Sequence, residues 1–480
     1  MREHKMKNTD KFYIGGAWVD PVGKATIDVT DPATEQAFAT IAMGNAADAE
    51  RAIAAARQAF PSFSQTSREQ RLALLRRVLD ILKRRNDEIG DVISREMGAP
   101  TALARQSQAI LGAAHFAETI RAFESFDWEY MQGDTRIIHE PIGVVAMITP
   151  WNWPINQIAS KVAPALATGC TMVLKPSEIA PLNAILFAEI MHEAGVPAGV
   201  FNLIHGDGPT VGTILASHPD VDMISFTGST RAGVSVATAA APTVKRVHQE
   251  LGGKSPNIVL RSADLNAAVT MGVCRCFDNS GQSCNAPTRL LVPMERMDDA
   301  IAAAANAAGE IVVGSPADPS TTMGPVVSQQ QFDKIQNLIR KGINEGAELI
   351  AGGNDRPDHL DVGYYVKPTV FAKVTNDMTI AQEEIFGPVL VIIGYGTEDE
   401  AVAIANDTPY GLAAYVQGDA SEARALSRKL RAGIVRINNS AWDGAAPFGG
   451  YKQSGNGREY GKFGIQEFTE IKGVVGYAGT

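Results

Sequence analysis

The chain has 480 residues, 45% apolar and 20% charged, which describes an ordinary globular protein of two or three domains and excludes a single small module, a disordered chain or a fibre. Its 43 basic and 53 acidic residues leave a formal charge of −10 with no basic cluster beyond short helical runs such as RLALLRRV and ILKRRND, which disfavours nucleic acid and anionic membrane as partners. MREHKMKNTDKFYIGG lacks a signal-peptide core and no apolar run reaches about 18 residues, so a cytoplasmic location is expected.

The N-terminal third reads as mostly helical, because AADAERAIAAARQAF and SREQRLALLRRVLDILKRRNDEIGDVISREMG carry apolar residues three to four apart. From Pro141 short apolar runs alternate with helices: GVVAMITP, INQIASKVAPALATG, CTMVLKP, PLNAILFAEIMHEAG, VFNLIHG, PTVGTILASHP, VDMISFTG, then a helix opened by Ser229 and Thr230. That alternation predicts parallel βαβ units buried on both faces. A second alternating region runs from RLLVP through YYVKPTVFAKV, GPVLVIIGY and RAGIVRIN, with AVAIAND and SEARALSRKL as helices. The fold class is therefore α/β with two such units, divided in ELGGKSPN, where paired glycines break the pattern. The four cysteines are too few for a disulfide framework, and Cys274 and Cys276 lack partners at zinc spacing, so both read as core cysteines and no metal site is expected.

Open α/β sheets bind ligands beyond the carboxyl ends of their strands. Asn152 follows VVAMITPW, Lys175 and Glu178 follow TMVL, Gly228 and Ser229 follow MISFT, and Glu250 follows VKRVHQ. Asn152 has a side-chain amide able to stabilise an oxyanion, although an asparagine before a helix is usually a cap. The carboxylate of KPSE can accept from both hydroxyls of an adenosine ribose and would repel a 2′-phosphate, or simply cap the helix after Pro181. GDGPTVG, with Gly208, has an irregular glycine spacing and reads equally as a plain turn. FTGST is better suited to a phosphate, since a glycine after a buried strand admits it and Ser229 caps a helix whose N-terminus attracts anions. Glu250 before two glycines suits a general base in a cleft or a surface charge. Cys284 in FDNSGQSCNAPTR sits among polar residues whose N–H groups and amide dipoles favour the thiolate, unlike a cysteine used for packing.

PWNWP, KPSE, FTGST, ELGGKSPN, GQSC, EEIFGP and PFGGYKQSGNGRE occur together in that order, and from about Tyr13 onward the chain resembles the aldehyde dehydrogenase superfamily of the non-phosphorylating, hydrolytic type. The resemblance implies a Rossmann-like cofactor domain in 1–122 and 142–252, an α/β catalytic domain in 253–458, and oligomerisation strands in 123–141 and 459–480. It implies NAD-dependent oxidation of a small-molecule aldehyde to a carboxylic acid through a cysteine thiohemiacetal and thioester, in a homodimer or homotetramer. Cys284 would be the nucleophile, Glu250 the base and Asn152 the oxyanion donor, with Lys161 and Glu459 in a proton path. Cofactor neighbours would be Thr149, Pro150, Trp151, Lys175, Ser177, Glu178, Gly208, Phe226, Gly228, Ser229 and Leu251, with Glu384 and Phe386 at the nicotinamide end and Gln331 and Lys334 as ribose neighbours. NADP is the less favoured cofactor because of Glu178.

The substrate tunnel would be lined by Trp153, Gln157, Ser160, Ser283, Asn285 and Trp442. The four polar members would stand unpaired around an alkyl tail, so an aldehyde with a polar or heteroaromatic far end should outperform hexanal. The same matching pairs Glu470 with Arg246 and Arg458. Arg436 departs from a tryptophan that many relatives carry, which bears on the subunit surface or substrate mouth. A CoA-acylating relative would generally lack Glu250, a non-catalytic structural relative would have lost Cys284, and a cysteine hydrolase would use His248, which shares a strand face with Glu250.

Overall fold

In the computed structural model, residues 6–478 are described, and they form two large sheets, a three-stranded arm and a hairpin. The first sheet has the order Gly455–Asn456, Arg246–Glu250, Met223–Thr227, Val144–Ile148, Thr171–Lys175, Phe201–Leu203, Phe12–Ile14, Ala17–Val19. Its five middle strands are parallel. Alternation explains its two-sided burial: Val145, Met147, Met172 and Leu174 join one apolar cluster, while Val144, Ala146, Ile148 and Val173 join another on the opposite face.

The second sheet runs Glu348–Ala351, Thr369–Ala372, Val389–Tyr395, Arg289–Pro293, Pro256–Val259, Ala413–Gln417, Ile434–Ile437, parallel except at its first strand. Here too Leu291, Val391 and Ile393 face one cluster and Leu290, Val292 and Ile392 the other. The chain passes from the first sheet to the second through residues 251–255, and Gly455–Asn456 returns to the edge of the first sheet beside Glu250. Thr135–Pro141 pairs antiparallel with both Thr469–Val474 and Glu129–Gln132, making the arm.

Three expectations change. The N-terminal third is not mostly helical at its start: Phe12–Ile14 and Ala17–Val19 form a hairpin around Gly15 and Gly16, both left-handed, and Thr26–Asp31 pairs with Gln36–Ala42. Paired glycines between apolar runs in FYIGGAWV are the local signal for that turn. The long amphipathic stretch is two helices, Arg68–Arg84 and Asn86–Met97, because Arg85 leaves helical geometry with φ −96° and ψ 12°. Cys276 is buried as expected, but Cys274 is exposed, since two residues along the helix Leu265–Phe277 turn the side chain to the other face.

Candidate active site

Within the first sheet the strand order runs outward in both directions from Val144–Ile148, so a crevice opens where its neighbours Met223–Thr227 and Thr171–Lys175 diverge in connection. The segment Thr149–Trp153 leaves the sheet at that point and feeds the helix Pro154–Thr168, which Pro154 opens. A cleft of about 220 Å³ lies here, between the two sheets. Pro150, Trp151, Asn152 and Gln157 form one wall; Gly228, Ser229 and Leu251 form the second. Cys284 lines it too, as do Gln331, Lys334, Glu384 and Phe386 from the half of the chain that builds the second sheet. Thr227 and Gly252 line it as well, which their sequence context did not signal.

The paired glycines after Glu250 are required by close approach rather than by a turn. A Cβ on Gly253 would lie 2.3 Å from the Cys284 carbonyl oxygen, and one on Gly252 would lie 2.5 Å from a Glu384 carboxylate oxygen. Gly253 N–H donates to Glu384 Oε1 at 2.8 Å. Glu384 thereby faces the same space as Cys284, and this changes the thiol's electrostatics. Burial pushes the Cys284 thiol well up, the carboxylates of Glu384, Glu250 and Glu459 add to the rise, and the Asn285 backbone N–H opposes it only weakly. The expectation that local dipoles favour a thiolate is thus overturned, because burial foremost, and distant carboxylates after it, outweigh near amides.

Asn152 donates through Nδ2 to Gln282 O at 3.0 Å, which leaves its second amide hydrogen free. Glu250 ends its strand 2% exposed, with Oε1 3.4 Å from His248 Nε2 and Oε2 without a partner. Burial raises its carboxyl well above the usual range, Glu459 adds to this, and Lys161 and Arg458 pull the other way. Burial also lowers His248 to about 4, so its imidazole is neutral. Lys161, four residues after Gln157 on one helix, meets Glu459 at 2.5 Å, both buried. Lys254, in ELGGK, is buried with an unpartnered ammonium, and burial lowers it to about 7.

At the far end Lys175 and Glu178 pair at 2.9 Å, and Thr149 N–H donates to Lys175 O at 3.1 Å. Ser177 Oγ accepts from Ile179 N at 3.2 Å, and Asp207 caps the turn that Gly208 opens. The Phe226 ring packs against Gly228, where a Cβ would come within 2.6 Å of it. Ser229 caps the helix Thr230–Ala240, accepting from Ala232 N at 3.3 Å. Phe386 is held left-handed at φ 60° by Gln331 Nε2, which donates to its carbonyl at 2.7 Å, and its ring meets Trp151 edge-on at 5.4 Å.

On the substrate side the expected unpaired polar groups are partly paired. Trp153 Nε1 donates to Ser283 Oγ at 2.7 Å, and Ser160 Oγ donates to Gln157 O at 3.3 Å. For Asn285 only the main-chain carbonyl is engaged, accepting from the Tyr415 hydroxyl at 2.9 Å, and Trp442 packs edge-on against His115 and Tyr460. The Glu470 triad is reduced to a pair: Glu470 meets Arg246 at 3.0 Å, whereas the Arg458 guanidinium donates to the carbonyls of Gly450 and Gly457.

The aldehyde dehydrogenase family model matches residues 18–474. The chain belongs to the aldehyde dehydrogenase family. It is an oxidoreductase that converts an aldehyde to a carboxylic acid with NAD. This aldehyde dehydrogenase is 54% identical over 477 residues to a 3-succinoylsemialdehyde-pyridine dehydrogenase of a Pseudomonas species, covering 99% of this chain and 100% of that one. It superposes with TM-score 0.99 on aldehyde dehydrogenase C of Pseudomonas syringae, a variant crystallised with NAD+ and octanal, at 52% identity and full coverage of both chains. Betaine aldehyde dehydrogenase of Staphylococcus aureus with NAD+ superposes at TM-score 0.95 and 38% identity, covering 98% of this chain and 97% of that one.

Proposed function

We propose that Cys284 is the nucleophile of this oxidation, Glu250 its base and Asn152 its oxyanion donor. The carrying observation is that the thiol and the half-free Asn152 amide line one cleft, while Glu250 waits at the adjoining strand end with Oε2 unpartnered. The thiol, held protonated by burial, loses its proton to water in the cleft and adds as the thiolate to the aldehyde carbon. The oxygen that becomes anionic accepts from the free Asn152 N–H and from the Cys284 main-chain N–H. NAD, when bound, supplies the hydride acceptor. Loss of hydride leaves the acyl group on sulfur as a thioester. Glu250 then takes a proton from the attacking water, and the Lys161–Glu459 pair carries it onward.

The cleft's residues fit NAD. Lys175 and Glu178 offer a donor and an acceptor for a ribose, the capped helix after Gly228 suits the pyrophosphate, and the Thr149 and Thr227 hydroxyls are buried without partners. Cys284→Ala should abolish aldehyde oxidation while NAD still quenches protein fluorescence on binding; retained turnover would refute the assignment.

Two readings of the aldehyde each have support. The Gln157 amide in the cleft wall favours a heteroaromatic or semialdehyde far end, the kind of compound for which the 54% identical relative is named. Internal pairing of Ser160 and Ser283 removes two polar obstacles and favours an alkyl aldehyde, as in the octanal complex of the P. syringae enzyme. Comparison of kcat/KM for 4-oxo-4-(3-pyridyl)butanal, octanal and hexanal decides between them. The arm carries exposed Tyr130, Met131, Ile471 and Val475, which supports a homodimer or homotetramer joined through it. A monomer by sedimentation at micromolar concentration would oppose this. The division into a cofactor unit (1–122 and 142–252), a catalytic unit (253–458) and arm segments, and a cytoplasmic location, complete the proposal.

A further inference from the structure

Just before the nucleophile, Asn279, Ser280 and Gly281 all take left-handed angles, with φ of 53°, 57° and 71°. Two consecutive non-glycine residues in that region are strained, so their surroundings must hold them. Ser280 Oγ donates to Gly324 O at 2.8 Å. Gln282 is fixed at both ends of its amide, donating to Asn279 O at 3.1 Å and accepting from Val327 N at 2.9 Å. Asn279 Nδ2 donates to two carbonyl oxygens, Asn152 O at 2.9 Å and Gln282 O at 3.2 Å.

Carbonyl oxygens only accept, so the nitrogen of Asn279 must face them and its oxygen must face away. That oxygen accepts from Gln108 Nε2 at 2.8 Å. Gln108 ends a single π-helical turn, Ala104–Gln108, set between the helical segments Thr101–Leu103 and Ala109–Glu124. Such turns shift side chains out of helical register and gather at functional sites. Gln108 is fully buried, and its own Oε1 has no partner. A leucine would remove the stranded Oε1 but leave the buried Asn279 oxygen without its donor, so what the glutamine supplies here is the contact to Asn279.

We infer that Gln108 is a positioning residue for aldehyde oxidation: its N–H orients the Asn279 amide, which ties the Asn152 loop to the Gln282 carbonyl on which the Asn152 amide rests. With one Asn152 N–H held by Gln282 at 3.0 Å, the direction of the other toward the substrate oxygen is set by this chain of amides. The inference rests on the role proposed for Asn152 and extends it to a helix on the far side of the nucleophile turn.

The test uses the full chain with NAD and three variants: Gln108→Leu, the isosteric Gln108→Glu, which puts an acceptor where the donor stood, and Asn279→Ala. The rate of the NADH burst should fall roughly tenfold or more in each, the scale of a misaligned oxyanion donor. KM for NAD and the rate of Cys284 alkylation by iodoacetamide, which needs no oxyanion donor, should stay within about twofold. Gln108→Leu combined with Asn279→Ala should be no slower than Asn279→Ala alone, because both act through one link. Equal losses of alkylation and burst would assign Gln108 to general support of the turn, and multiplying losses in the double variant would break its link to Asn279; either overturns the inference. Asn152→Ala separates the two layers. If it leaves the burst intact, the reading of Asn152 fails; if it slows the burst while the Gln108 variants do not, only the role of Gln108 fails.

Discussion

Lys161 and Glu459 meet at 2.5 Å with side-chain exposures of 0% and 4%, so Lys161→Met leaves a lone carboxylate in the protein interior. Removing one partner of a buried pair costs about 3–5 kcal/mol, because the remaining charge keeps its desolvation penalty and loses its compensation. For a cooperative unit of this size that corresponds to a Tm lower by roughly 6–10 °C. The sign of its pH dependence follows from Glu459. Burial pushes that carboxyl up, but Lys161 foremost and His248 next hold it below the usual range. In the unaltered chain Glu459 therefore stabilises the fold above the ordinary carboxylate pKa, and that contribution is lost as pH falls through the depressed value. In the variant burial prevails, the carboxyl rises, and the deficit is largest at neutral and alkaline pH and shrinks as acid neutralises it. Differential scanning fluorimetry from about pH 5 to pH 8.5 measures this. Lys161→Met with Glu459→Leu should recover most of the lost stability, since no lone charge remains, but not the deacylation rate, since the relay is gone. A loss under about 2 °C, or one that deepens toward pH 5, would refute the reasoning.

Glu250→Gln should give a stoichiometric NADH burst followed by slow turnover, and absence of the burst would assign the residue's main work to thiol deprotonation rather than to water. Glu384→Gln removes the foremost charge that raises the Cys284 thiol, so alkylation of the NAD-free enzyme near neutral pH should be faster by roughly threefold or more, with its pH midpoint shifted down; an unchanged profile would deny that Glu384 acts on the thiol. Glu178 beside a 2′-phosphate costs on the order of 1–3 kcal/mol, so NADP should have kcat/KM lower by roughly tenfold, and Glu178→Gln should narrow the gap. Glu470→Lys, which breaks only the half-exposed pair with Arg246, should lower stability by about 1 kcal/mol or less and leave KM for NAD unchanged.

Wherever a residue's placement depended on its own strand or the turn just after it, the sequence was sufficient. Asn152, Lys175, Gly228 and Glu250 stand where apolar runs of strand length end, and parallel strands packed side by side bring such ends to one rim. Ser229 was legible as a cap because its hydroxyl acts on an N–H three residues on. The glycines of ELGGK were visible, but as a break in pattern; only the packed structure reveals the carbonyl of Cys284 and the carboxylate of Glu384 that forbid a side chain there. The protonation bias of Cys284 was misread because its nearest neighbours in sequence are dipoles, whereas the burial that raises it most and the charges of Glu384, Glu250 and Glu459 that add to it come from separate segments packed around it. Arg458 likewise lies close to Glu470 along the chain, yet its guanidinium turns to carbonyls of its own loop. Gln108 left no mark at all: an amide 171 residues from its partner has no spacing, periodicity or motif to betray it, and only the π-helical turn that swings it inward makes the contact with Asn279. Local chemistry is written in order along a chain, while electrostatics and hydrogen-bond partnership depend on distances in space, which the packing of the two sheets alone determines.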